Sequence, residues 1–183
     1  MPTYTADLVL PELTGLVRPH GQQWSPDRLR ELVTQVSGTH RGTLLDLVRF
    51  ASPQRWWARL ALTEEVEVWL LSWLPGQHTE PHDHGGAFGA FSVVLGELSE
   101  TYRYPRAPIG RRVHDTGAAI GFGAGRAHQV WNTGLANAAT VHAYSPPLVP
   151  TREYASLQDI PDHIPPLPPR RTLEELSKEP VEP

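Results

Sequence analysis

Glu67-Val68-Trp69-Leu70-Leu71-Ser72-Trp73-Leu74-Pro75-Gly76-Gln77-His78-Thr79-Glu80-Pro81-His82-Asp83-His84-Gly85-Gly86 decides the reading of this chain. Its first half alternates from Glu65 onward and then turns mostly apolar, as a strand does on entering a core. Its second half carries a His-x-His pair. Side chains on a strand repeat every second residue, so His82 and His84 point to one face. Asp83 between them faces the other way and reads as a structural acceptor. Pro81 before the pair and Gly85-Gly86 after it indicate a strand edge held closely against something.

Working outward, residues 90–95, 98–104, 111–116, 119–122, 129–132 and 138–144 read as further short strands separated by glycine, proline and asparagine. Leu98, Glu100, Tyr102 and Tyr104 share one parity. Many short strands with tight turns predict an all-β core, a small antiparallel double-sheet β-barrel whose interior can hold a small ligand. Upstream, Ser25 can cap a helix that has Pro26 at its first position and Asp27 in its first turn. Leu29, Leu32, Val33 and Val36 recur on one face, and Gly38 is expected to stop the run. A second helix is expected from Leu44 to Val48, and Ser52-Pro53 opens a third candidate reaching Trp57 or Leu60. These helices are expected to pack outside the sheet. The predicted organisation is one domain over 1–160, with the barrel at about 64–150, followed by a proline-rich arm over 161–183. That arm is expected to run over the barrel or be left free, with a single helical turn at Thr172 to Leu176, and a disordered tail is preferred to a peptide ligand for a partner domain.

Composition narrows the function classes. A chain of 183 residues can bury a sizeable core. A formal charge of -4, with basic residues clustered only in pairs such as Arg111-Arg112, argues against nucleic acid or an anionic membrane as a partner. There is no cysteine, which excludes disulfides, zinc-thiolate sites and a cysteine nucleophile. No basic start followed by an apolar run marks a signal peptide, and no apolar stretch is long enough to span a bilayer, so a cytoplasmic protein is the default expectation.

A third histidine, His128, follows Gly123-Ala124-Gly125-Arg126-Ala127, with Asn132 four residues later. A histidine from a distant strand can complete a half-shell around one metal ion with His82 and His84. Neutral imidazoles suit iron, zinc, copper and nickel rather than calcium or magnesium. They leave a divalent charge uncompensated and so favour anionic guests such as a thiolate or hydroxide. Zinc hydrolysis and iron oxygenation are both compatible with this ligand set.

The spacings resemble the two motifs of the cupin superfamily: Gly76, five residues, His82-x-His84, then Gly96; and Gly117, five residues, Gly123-x-Gly125, two residues, His128, three residues, Asn132. The first motif of that superfamily usually carries a glutamate after the histidine pair, where this chain has Gly89. Residues 67–86 resemble the cysteine dioxygenase family closely, and the likeness extends from about Arg55 through Pro147. The resemblance implies one Fe(II) per chain held by His82, His84 and His128, and oxidation of a thiol by O2 to a sulfinic acid. L-cysteine is the implied substrate, cysteine sulfinic acid the product, and the chain is expected to act as a monomer.

Thr140-Val141-His142-Ala143-Tyr144 resembles the family's Ser-x-His-x-Tyr segment. These alternating positions share a face, so Tyr144 can donate to a substrate group, His142 can orient the phenol and Thr140 can fix His142. Some members link this tyrosine to a cysteine; with Gly89 at that position, Tyr144 is expected to be unmodified. Trp56-Trp57-Ala58-Arg59-Leu60 resembles the family's Tyr-x-Arg-x-Leu segment, which implies Arg59 as the anchor for the substrate carboxylate, beside Trp57. Arg55 is a near rival for that role. His78 and His114 read as surface or turn residues, and Trp73 and Trp131 as support for the ligand strands. The alternatives are another thiol acid such as 3-mercaptopropionate, a non-thiol metal-dependent cupin enzyme, or a sugar- or ligand-binding cupin without turnover.

Overall fold

The computed structural model describes residues 5–7 and 10–169. Its strands are β1 (Thr5–Asp7), β2 (Trp57–Leu62), β3 (Glu67–Trp73), β4 (His82–Asp83), β5 (Phe88–Leu95), β6 (Glu97–Arg103), β7 (Gly110–Asp115), β8 (Ala119–Phe122), β9 (Ala127–Trp131), β10 (Ala138–Ser145) and β11 (Arg152–Glu153). One sheet runs β1-β2-β3-β10-β5-β8, the other β11-β4-β9-β6-β7. All pairings are antiparallel except β1 with β2. The two sheets face each other across a cavity, which is the antiparallel double-sheet architecture expected from the strand pattern.

The first sheet is buried on both faces, and its sequence shows why. On β3, Val68 and Leu70 join the core beneath the helices, whereas Glu67, Trp69, Leu71 and Trp73 line the cavity. On β10, Ala139, Val141 and Ala143 face the helices, and His142 and Tyr144 face the cavity. Register pairs Thr140 with Leu71 and His142 with Trp69, so the two strands present one continuous wall.

Helix α1 (Pro26–Thr39) starts where expected, with Ser25 Oγ accepting from the Arg28 amide at 3.3 Å. Leu29, Leu32, Val33 and Val36 are buried against the sheet, each contributing roughly 2 kcal/mol. The helix passes through Gly38 instead of stopping there. Helix α2 spans Arg41–Leu47, three residues earlier than the sequence indicated at its start.

The third candidate helix is a strand. Residues from Trp57 to Leu62 form β2, because Ala58 and Leu60 fill the helix-side core in alternation and the chain pairs along β3. A free edge on β3 outweighs the modest helix preference of Ala-Arg-Leu. The described part of the arm is not free either. Ile164 packs with Leu157, Ile160 and Ala127, and the Leu167 amide donates to the Gly85 carbonyl at 2.8 Å. The expected helical turn at Thr172 to Leu176 lies outside the described residues. No helix among the described residues is long and apolar enough to cross a membrane.

Candidate metal centre

His82 on β4 pairs directly with His128 on β9, and His84 leaves the end of β4, so adjacent strands of one sheet deliver three imidazoles to one point. One nitrogen from each ring lies within 4.8 Å of the others. Among the described residues this is the only such group of histidine, aspartate or glutamate side chains.

The donor chemistry fits a cation. His82 Nδ1 lies 2.7 Å from the Glu80 carbonyl, which can only accept, so Nδ1 carries the proton and Nε2 is left as a lone pair. His128 Nδ1 lies 2.7 Å from Glu100 Oε1, and the same reasoning leaves its Nε2 bare. That bare Nε2 faces His84 Nε2 at 3.1 Å. Burial, with His128 and Arg55 adding to it against the Glu80 carbonyl, pushes His82 down to about 3. Burial and the neighbouring His82 and His128 hold His84 well below its ordinary value. With His128 Nε2 bare, His84 Nε2 is the donor in that contact, and converging imidazole nitrogens able to give up this one proton suit a soft or borderline divalent metal such as iron or zinc.

Asp83 is fully buried and acts as the structural acceptor expected of it. It accepts from the Gly85 amide at 2.6 Å, Tyr154 Oη at 2.5 Å and Arg152 Nη1 at 3.2 Å, tying the ligand turn to β11. Gly85, at φ +60°, has no room for a side chain: a Cβ would lie 2.6 Å from the Pro150 carbonyl and 2.7 Å from Val149 Cγ1.

Across the cavity runs a hydrogen-bonded chain. Trp73 Nε1 donates to Thr140 Oγ1 at 2.9 Å, Thr140 Oγ1 meets His142 Nε2 at 2.9 Å, and His142 Nδ1 meets Tyr144 Oη at 3.0 Å. Burial, then the nearby His128 and Arg55, keep His142 neutral. Burial and the Glu67 carboxylate raise the Tyr144 pKa, so the phenol keeps its proton. A Cβ on Gly89 would collide with the Phe122 ring and lie 3.0 Å from Tyr144 Cδ1. The ring occupies the space from which a cysteine would approach the phenol.

The cavity measures about 270 Å³ and is lined by the three histidines, His142, Tyr144, Glu67 and Arg55 together with Trp69, Leu71, Trp73 and Val130. Arg59 and Trp57, the residues the family segment pointed to, are not in that lining. As β2 is a strand paired with β3, Arg59 sits opposite Trp69; its guanidinium lies 5.1 Å from that ring and 3.9 Å from Glu67 Oε2. Trp57 stacks edge-on against Trp69 and lines a neighbouring surface pocket. Arg55, in the loop before β2, reaches the cavity, its guanidinium 4.2 Å over the Trp73 ring. Burial lowers its pKa, yet an arginine stays cationic.

Two side chains differ from their sequence reading. His114 is 2% exposed rather than at the surface, and donates from Nε2 to Glu100 at 2.8 Å. Trp131 is 44% exposed and packs against the exposed His78, so only Trp73 supports the site from within. Glu100 itself was visible as an acidic residue in the inward parity of β6, the one available signal of its position.

No curated protein matches the chain. Among solved structures it resembles a double-stranded β-helix protein from Klebsiella pneumoniae (18% identical, TM-score 0.51, covering 62% of this chain and 95% of that one). It also resembles BH2720 from Bacillus halodurans (20% identical, TM-score 0.51, covering 61% and 80%). An oxalate oxidase in complex with glycolate is a third (19% identical, TM-score 0.51, covering 58% of each). At these identities the likeness concerns the fold, the double-stranded β-helix of the cupins. The sequence profile of cysteine dioxygenase type I matches residues 44–156, which takes in every strand of the cavity wall, all three histidines and the Thr140-His142-Tyr144 chain, and on that match this protein belongs to the cysteine dioxygenase type I family.

Proposed function

We propose that the protein is an iron-dependent thiol dioxygenase that converts L-cysteine and O2 to cysteine sulfinic acid. The observation that carries this reading is the convergence of three imidazoles on one side of a small cavity, with a cation and a neutral phenol on its other walls. His82, His84 and His128 would hold the Fe(II). When bound, a ferrous ion supplies the electron-rich centre at which a thiolate and O2 are brought together. The reaction balances without an organic cofactor: two S–O bonds form, the O–O bond breaks, and sulfur supplies the four electrons.

The chain's own residues bind and orient. Arg55, rather than Arg59, is proposed to hold the substrate carboxylate, since its guanidinium offers a planar pair of donors inside the cavity. With Thr140 donating to His142 Nε2, His142 donates from Nδ1 to the Tyr144 oxygen, and the phenol proton is free to point at the substrate. Trp69, Leu71, Trp73 and Val130 keep the rest of the cavity dry.

Anaerobic loading with Fe(II), followed by O2 uptake and product mass measurement, tests the reading. One O2 per L-cysteine and a mass gain of two oxygens are expected, with kcat/KM higher for L-cysteine than for 3-mercaptopropionate. Iron-loaded protein that consumes no O2 with either thiol would refute it.

A further inference from the structure

We infer that Glu100 is a positioning residue of the metal centre: it locks His128 in the tautomer that turns a lone pair toward the ion. This rests on the reading of His82, His84 and His128 as metal ligands. The lock has a definite geometry. Glu100 Oε1 is met by His128 Nδ1 at 2.7 Å and Arg126 Nε at 3.0 Å. Glu100 Oε2 is met by His114 Nε2 at 2.8 Å and Arg126 Nη2 at 2.7 Å. A carboxylate is acceptor-only, with about four lone-pair sites, and here each is filled.

Three consequences follow. Because the Arg126 fork engages both oxygens, the carboxylate cannot turn away from His128. The fork is itself held, with its guanidinium carbon 3.8 Å over the Tyr102 ring and Nη1 3.4 Å from Tyr104 Oη. Flipping the His128 proton to Nε2 would set a ring lone pair against a carboxylate oxygen at 2.7 Å, a separation too short for a bridging water, with Glu100 and His128 each 1% exposed. The opposite end is closed by His114, so the carboxylate has no second geometry to adopt.

The three-histidine set contains no anion of its own. Glu100 therefore plays the part of the carboxylate behind a metal-bound histidine, fixing ring orientation and making Nε2 a stronger donor. Arg126 offsets its charge, so the contribution to the centre is one of direction and polarisation rather than net charge.

Long-range proton–nitrogen correlation spectra of the metal-free protein read the tautomer directly, and chelator competition with Co(II), and with Fe(II) under anaerobic conditions, reads the affinity. His128 is expected as the Nδ1–H tautomer in the unsubstituted protein. Glu100→Gln should introduce the Nε2–H form and weaken metal binding by about 10- to 100-fold. Val36→Ala, a core change on α1 remote from the centre, should lower thermal stability and leave both readouts alone. Should Glu100→Gln fail to fold, Glu100→Leu combined with Arg126→Leu removes both charges together and should show the same two effects.

An Nε2–H His128 in the unsubstituted protein overturns the inference. So does a folded Glu100→Gln or double variant that keeps the original tautomer and affinity. If the unsubstituted protein binds metal normally in those cases, the dioxygenase reading stands without this inference. If it binds neither Co(II) nor Fe(II), that reading fails and takes the inference with it.

Discussion

Two arginines four residues apart compete for one role, and replacing each in turn separates them by magnitude as well as by kind. Arg55→Ala removes a guanidinium that lines the cavity and stacks on Trp73 at 4.2 Å. If that group grips the substrate carboxylate, two charge-assisted hydrogen bonds are lost, each worth about 1.5–3 kcal/mol. Water entering the enlarged cavity returns part of that. A net loss of about 2–4 kcal/mol corresponds to a fall in kcat/KM of about 30- to 700-fold. The loss should be specific to the carboxylate: L-cysteine methyl ester, which lacks that anion and is expected to be turned over poorly by the unsubstituted protein, should be little affected by the change. Iron loading should stay within a factor of about two.

Arg59→Ala should behave differently. Arg59 lies 3.9 Å from Glu67 Oε2, with the two side chains 9% and 7% exposed. Breaking a buried pair leaves the partner charge uncompensated and costs about 3–5 kcal/mol; the long separation argues for the lower end. In a chain of this size about 3 kcal/mol lowers Tm by about 6–12 °C. Arg59→Ala should therefore unfold early, and its activity loss should be partly regained when Glu67→Gln is added. Steady-state kinetics and thermal melts on the two single variants decide the matter. An Arg59→Ala protein with unchanged Tm and no cysteine turnover, alongside an Arg55→Ala protein with normal kcat/KM, would refute the assignment and return the carboxylate to Arg59.

Other expectations follow from the same geometry. Gly89→Cys should not join to Tyr144, because its Cβ would strike Phe122; intact mass should show no loss of two hydrogens, and Tm should fall by an amount equivalent to about 1–3 kcal/mol of overpacking. Gly85→Ala should push against the Pro150 carbonyl and displace Val149 from the cavity lining, and lower both Tm and Fe(II) retention, measured by melting and chelator competition. Burial would raise Glu65, but hydrogen bonds from the His20 and Gly21 amides, Trp24 Nε1 and His20 Nδ1 outweigh it and hold this carboxyl at about 2, against an ordinary value of 4.5. A depressed carboxylate stabilises the fold above its unfolded pKa, and that share is lost as pH falls from 4.5 toward 2, so Glu65→Gln should flatten the acid limb of Tm against pH in that window.

The barrel was legible because its strands are short, apolar on at least one face and bounded by turn residues; predicted and observed strand limits from 67 to 145 differ by at most two residues. The convergence of His82 and His84 was legible from their i, i+2 spacing at a strand end, which gives the two side chains a shared face. Residues 57–62 were not. Trp-Trp-Ala-Arg-Leu-Ala-Leu carries both periods, and only the open edge of β3, a partner invisible in local sequence, selects the strand. That single difference moves the pocket arginine. On a helix Arg59 and Arg55 share a face at i, i+4 and are interchangeable candidates; on a strand preceded by a loop they diverge. Glu100 and His114 escaped attention for a related reason. They lie on β6 and β7, in a register where Glu100 faces Arg112 and His114 faces Leu98, and only side-chain reach across the strands brings them together.

Charge balance ties these parts to the choice of substrate. Glu100 is offset by Arg126, and Glu67 by Arg59, so neither carboxylate adds net charge to the cavity. His82, His84, His142 and Tyr144 are held neutral. What remains is the positive charge of Arg55, joined by two more from a divalent ion when one is held. A cavity of about 270 Å³ with that excess is matched by a small molecule bearing two anionic groups, set apart by the distance from the histidines to Arg55. A thiolate and a carboxylate on a short carbon chain meet the condition. A neutral sugar does not, which is the physical ground for preferring a thiol acid to a saccharide as the occupant of this barrel.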